Sequence, residues 1–323
     1  MRGVRGPHLP RLRASAPPPG GRAAGSLIKI ASMTVQEHNP QASNPLGIDG
    51  IEFIEFATSQ PQALGTVLQH MGFAPVARHR SREVMLYRQG PMNLIVNAHP
   101  DALPGMAAPG ATPELKAIAL RVRDAAHAWK HAIDLGAWEM PTRASAMELN
   151  IPGIHGVGDS LLYFVERYKD FSIYDVDFIP LPGATKNPPA IAGLHYFGIV
   201  QSIYGERTRD WVDFYCNLFG FSVLPQGQFF GVLPKGTLLE SPCHKFYLQL
   251  IEPPPGSEDI HWDEALVRIG FGAPDVPAAT RALKERGVVF IDRGPVQPSE
   301  KGALTQVYLG GVTFELVVSH LKP

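Results

Sequence analysis

Leu194-His-Tyr-Phe-Gly-Ile-Val200, followed by an amphipathic stretch over 207–218 and its closing Phe219-Gly-Phe221, decides the fold, because this order occurs four times in the chain. The first copy is Ile51-Glu-Phe-Ile-Glu-Phe-Ala57, a helix over 62–70 closed by Met71-Gly-Phe73, then strands over 84–87 and 92–97. The second is Ala117-Ile-Ala-Leu-Arg-Val-Arg123, a helix over 125–135 closed by Gly136, and a last strand over 161–166. The quoted copy is the third, with its last strand over 246–252; the fourth has a strand over 266–271, a helix over 276–286 closed by Gly287, and a last strand over 313–318. Leu64, Val67, Leu68 and Met71 form one stripe of the first helix, and Val276, Ala279, Ala282 and Leu283 one stripe of the fourth, as helices lying on a sheet require. Gly136 and Gly287 suit left-handed helix caps, which glycine adopts without steric cost. Each βαβββ unit is too small to bury its own sheet face, so units must pair. The expected fold class is α+β: two domains, each of paired βαβββ modules forming a curved, barrel-like mixed sheet.

Asp177 to Ala190, with Pro180, Pro182, Pro188 and Pro189, reads as a linker over 177–189 between domains over 46–176 and 190–320. Residues 1–45 are set apart as a disordered or artefactual extension. Residues 1–32 carry arginines, prolines and glycines but no acid, Pro17-Pro-Pro-Gly-Gly21 would break an amphipathic targeting helix, and Met33 offers an alternative start. At 323 residues, 45% hydrophobic and 18% charged, the chain has the composition of a globular protein. A net charge of −1 gives no reason to expect nucleic acid or an anionic membrane as partner. No apolar run approaches the ~20 residues of a membrane span. Cys216 and Cys243 are in no metal-ligand spacing and read as thiols of a reducing, cytoplasmic setting. A homo-oligomer is compatible with the sequence.

The chemistry concentrates in the second pair of modules. Glu315 lies in Val312-Thr-Phe-Glu-Leu-Val317, among apolar neighbours, and a carboxylate there needs a partner. His195 is second in the first strand of module three, and Arg268 takes the corresponding place in module four. Pairing of the modules should bring these three positions to one spot inside a cup. Two histidines and a carboxylate make an iron-type facial triad; here the second histidine position holds arginine. A lone histidine in an apolar strand is more often a hydrogen-bonded core residue than a ligand. His79, His127, His131, His155 and His320 read as bystanders, and Asp210 and Asp213 with Arg207 and Arg209 as a solvated helix face.

One further set of strings is specific: Gly50-Ile-Glu-Phe-Ile-Glu-Phe-Ala57, Met71-Gly-Phe73, His79-Arg-Ser81, Leu86-Tyr-Arg-Gln-Gly90, Asn93-Leu-Ile-Val-Asn97, Met147-Glu-Leu-Asn-Ile-Pro152 and Ser172-Ile-Tyr-Asp-Val-Asp-Phe178. In this order they resemble the 4-hydroxyphenylpyruvate dioxygenase family of the vicinal oxygen chelate superfamily. The resemblance implies a glyoxalase-like fold in which the N-terminal domain is largely structural. It implies a C-terminal domain that binds Fe(II), a small aromatic α-keto acid and O2, yielding homogentisate in tyrosine catabolism.

Carried over residue by residue, His195 and Glu315 match metal ligands, whereas the third ligand position is Arg268. Ser241, Gln249, Arg268 and Gln306 fall at substrate-contacting positions, Gln249 where the family has proline; an asparagine of that strand is Ile251. A guanidinium has no lone pair for a metal. Beside Glu315 it would form a charge-assisted pair and compete with iron. Two expectations follow: an Fe(II)-dependent dioxygenase, or a metal-free relative in which Arg268 pairs with Glu315 and binds a small aromatic or keto carboxylate.

Overall fold

The computed structural model describes residues 43–323 except 103–110, 142–147, 226, 229, 233–235, 255, 257–261, 294–296, 320, 322 and 323. The expectations for residues 1–42, and for His320, lie outside the described residues.

Module one is β1 (Ile51–Ala57), α1 (Pro61–His70), β2 (Ala74–His79), β3 (Val84–Gln89) and β4 (Met92–Asn97). Module two is β5 (Glu114–Arg121), α2 (Ala125–Asp134), β6 (Gly153–His155) and β7 (Leu161–Val165), after which come α3 (Ile173–Asp177) and β8 (Phe178–Pro180). Module three is β9 (His195–Ser202), α4 (Thr208–Phe219), β10 (Ser222–Val223), β11 (Thr237–Glu240) and β12 (Tyr247–Ile251). Module four is β13 (Ala265–Ala273), α5 (Val276–Glu285), β14 (Gly302–Leu304) and β15 (Phe314–Val318).

Local chemistry explains the helix ends. Asp124 accepts from the His127 N–H at 2.8 Å and Asp275 from the Ala278 N–H at 2.8 Å, satisfying donors that the first turn leaves free. Gly136 and Gly287 adopt φ of 92° and 94° just past their helices. Leu64, Val67, Leu68 and Met71 are buried as expected. In α5 the buried stripe is Val276, Ala279, Thr280 and Leu283, with Ala282 only half-buried.

Every module obeys one pairing rule. Its first strand runs parallel to its own last strand (β1 with β4, β5 with β7, β9 with β12, β13 with β15). It also runs antiparallel to the first strand of its partner module (β1 with β5, β9 with β13). The result is a mixed, open sheet that helices cover on one side. A single residue pair, Leu115 with Leu266, joins β5 to β13. The main core lies between the helices and the sheet, with Phe56, Phe73, Phe164, Phe219, Phe246, Phe271 and Phe314 nearly inaccessible.

Candidate functional site

Register sets the inner face of the second module pair in three rows. Gln249, Val200 and Arg268 are paired across β12, β9 and β13. In the next row Tyr247, Gly198, Gly270 and Glu315 follow one another across β12, β9, β13 and β15. In the third, His195 faces Gly272, which faces Val317. All three expected positions thus share one face of the sheet.

Within that face Arg268 and Glu315 touch, whereas His195 stands in the row furthest from Arg268. Arg268 Nε lies 3.1 Å from Glu315 Oε2, and the two side chains are 12% and 5% exposed. The Nε–H is not well aimed at that oxygen, so the contact is an ion pair rather than an aligned hydrogen bond. Glu315 Oε1 accepts from the Val232 backbone N–H at 3.1 Å. Burial pushes the Glu315 carboxyl up and the Arg268 guanidinium down, and each charge opposes the shift of the other. Gly231, at φ +72°, passes so close that a Cβ would collide with Glu315 Oε1.

His195 belongs to the far row. Gly272, its partner, is four residues along β13 from Arg268, roughly 13 Å of strand. Nδ1 is 3.0 Å from the Gly193 carbonyl and Nε2 is 2.8 Å from Ser319 Oγ. A carbonyl only accepts, so Nδ1 carries the proton and the Nε2 lone pair receives the Ser319 hydroxyl. Burial holds the imidazole below its ordinary pKa, which keeps it neutral.

The proposed substrate residues divide likewise. Gln249 lies on the inner face, in the row of Arg268. Ser241 is fully buried, and its Oγ accepts from the Lys245 and Phe246 N–H groups, which fixes the β11–β12 turn. Gln306 is exposed and uses its backbone N–H to pair with Val289. Neither side chain hydrogen-bonds to the Arg268–Glu315 pair.

A residue the sequence did not single out joins an aromatic cluster on the inner face. The β9–β13 register skips between Gly198 and Tyr196, leaving Phe197 in a bulge. Phe197 clusters with Tyr247 and Val317, and Phe230 caps them with ring centroids 5.0 Å from Phe197 and 4.8 Å from Tyr247. Phe197 shares the inner face with His195, two residues before it, and the bulge lets Gly198 and Val200 face inward as well. A second departure is His79, which lines a cavity in the first module pair rather than standing free.

The residues present do not fit an iron centre. Arg268 offers no lone pair, both Glu315 oxygens are engaged, and the His195 Nε2 lone pair is taken by Ser319. Among the described residues no three His, Cys, Asp or Glu side chains form a metal-binding group.

Residues 42–179 match the family described as "Hydroxyphenylpyruvate dioxygenase, HPPD, N-terminal", and residues 193–304 the "Glyoxalase/Bleomycin resistance protein/Dioxygenase superfamily". The chain is 31% identical over 261 residues to 4-hydroxyphenylpyruvate dioxygenase of Pseudomonas aeruginosa, covering 77% of this chain and 72% of that one. This chain belongs to the 4-hydroxyphenylpyruvate dioxygenase family. Identity to the family enzyme of Pseudomonas sp. (strain P.J. 874) reaches 41% over 180 residues, covering 55% of this chain and 50% of that protein. A solved xylose isomerase-like TIM barrel/4-hydroxyphenylpyruvate dioxygenase fusion protein superposes with a TM-score of 0.67 at 26% identity, over 84% of this chain and 49% of that one. The chain therefore spans about half the length of these last two relatives.

Proposed function

We propose that the second cup binds a small aromatic or keto carboxylate without iron, with Arg268 as the anion clamp. The Arg268–Glu315 ion pair carries this reading, since it supplies internally the positive charge that a metal would bring. Arg268 Nη1 and Nη2 make no hydrogen bond to another described residue, which leaves donors for a carboxylate. Phe197 and Tyr247 supply aromatic surface for the remainder of the ligand. The test is calorimetric titration of chelator-treated protein with phenylpyruvate and 4-hydroxyphenylpyruvate. Saturable binding that Arg268→Gln abolishes supports the reading; near-stoichiometric iron in the purified protein, with O2 uptake on adding keto acid, sinks it.

Family membership favours a second reading, an Fe(II)-dependent dioxygenase converting 4-hydroxyphenylpyruvate to homogentisate in tyrosine catabolism. It requires Arg268 and Ser319 to leave their present partners. A cytoplasmic setting accords with both readings: Cys216 and Cys243 are free thiols, and among the described residues no helix is long and apolar enough to cross a membrane. Replacing Arg268 by histidine tests how much of the triad survives. If His195 can turn from Ser319, the variant gains iron affinity.

A further inference from the structure

The first module pair has its own cup, and this one is open. A cavity of about 460 Å³ lies on the inner face of β1, β4, β5 and β7, a volume suited to a small organic molecule. Its walls are mainly apolar and aromatic, with Phe53, Ile95 and Phe178 among them. Phe53 and Tyr163 pack with ring centroids 6.0 Å apart.

Two polar oxygens in it take no hydrogen-bond partner among the described residues. Glu55, 9% exposed on β1, accepts from Asn97 Nδ2 at 2.9 Å through Oε1, while Oε2 takes no hydrogen bond from a described residue. The Tyr163 hydroxyl on β7 also bonds to no described residue, although both side chains line the cavity. Neither oxygen is among the sealed-off buried polar atoms that have no partner, so both reach the open space. Across β5 Tyr163 shares a row with Phe53, and Glu55 stands in the next row of the same face; a carboxylate and a phenol in adjoining rows ask for a ligand group that donates to one and accepts from the other. A hydroxyl does both, whereas an ammonium has no lone pair with which to receive the Tyr163 proton. Charges of both signs line the cavity, Lys116 and Arg82 with Asp101, Glu148, Asp159 and Asp177, so the lone pair decides between the two. Burial raises the Glu55 carboxyl pKa, which marks the cost of leaving this group unpartnered.

We propose that the first cup is a second ligand site, which takes a small neutral phenol whose hydroxyl bridges Glu55 and Tyr163 while its ring lies against Phe53 and Phe178. This site is separate from Arg268 and does not depend on what the second cup binds. It also gives the first module pair a role beyond support.

The test is ligand-observed NMR titration of the full chain with p-cresol, toluene and 4-methylbenzylamine. None of the three carries a carboxylate, so Arg268 has no anion to clamp. p-Cresol should saturate at about 1 mM or tighter, given its few non-hydrogen atoms. Toluene and the amine should bind at least about tenfold more weakly, and Glu55→Gln and Tyr163→Phe should each weaken p-cresol by about tenfold. If Glu55→Gln does not fold, Leu161→Trp, which fills the cavity wall, should abolish p-cresol binding instead. Absence of saturation, toluene or the amine binding as well as p-cresol, or p-cresol binding unaffected by these substitutions would each overturn the proposal.

Discussion

At the scale of single residues, the Arg268–Glu315 pair couples two groups that neither would survive alone. Arg268→Met should destabilise the fold by about 3–5 kcal/mol, because it strands a buried carboxylate, whereas adding Glu315→Leu should restore much of the loss. Denaturant midpoints of the single and double variants check this, and equal losses in both would remove the pair from the account. His195 has its own signature. Its folded pKa lies below the ordinary 6.5, so the unfolded chain binds the proton more readily. Its contribution is therefore complete above the unfolded value and is lost as pH falls through that value and then through the folded one. Between about pH 7.5 and 5.5 the urea midpoint should drop more steeply in the native protein than in His195→Gln. Residue identity was legible here, since the sequence marks Glu315 as needing a partner and Arg268 as unable to bind metal. What it did not reveal was the row each occupies: two strand positions can share a face and still lie four residues apart.

At the scale of elements, the helices and first strands could be read because a period near four and a run of buried strand residues each leave a trace in the sequence. Glycine caps then fixed where the helices stop. The β9 bulge left none, because register belongs to two strands jointly and neither carries it alone. It sets Phe197 beside Gly198 on the inner face, where Phe197 meets Phe230, and that aromatic cluster occupies space in the second cup. Phe230→Ala should cost about 2 kcal/mol of stability from lost burial, yet bind phenylpyruvate several-fold more tightly by vacating the seat. Calorimetry on the variant checks it, and unchanged or weaker binding would show that Phe230 forms a wall of the site. The first cup escaped sequence reading for a related reason. Glu55 and Tyr163 belong to different modules, and only the pairing of β1 with β5, and of β5 with β7, brings them to one cavity.

At the scale of the whole molecule, the described residues between 43 and 321 fall in one compact unit. The contacts that tie its module pairs are spread widely: the Tyr196 hydroxyl donates to the Asn93 carbonyl, Phe73 packs on Phe271, Gln89 receives the Ile191 N–H, and Lys245 reaches Asp49. Heat should therefore melt this unit in one transition, with calorimetric and van't Hoff enthalpies in agreement; two resolved transitions would mean that the module pairs fold independently. An open sheet also has ends, where unsatisfied backbone groups can recruit another chain. Here the described outermost strands are stubs. Ser222–Val223 is two residues long, and Gly153–His155, Phe178–Pro180 and Gly302–Leu304 are three each, one of them finishing in a proline that cannot donate. A neighbouring copy finds almost no ladder to extend, so the protein can leave its barrel unclosed without becoming the seed of a fibre.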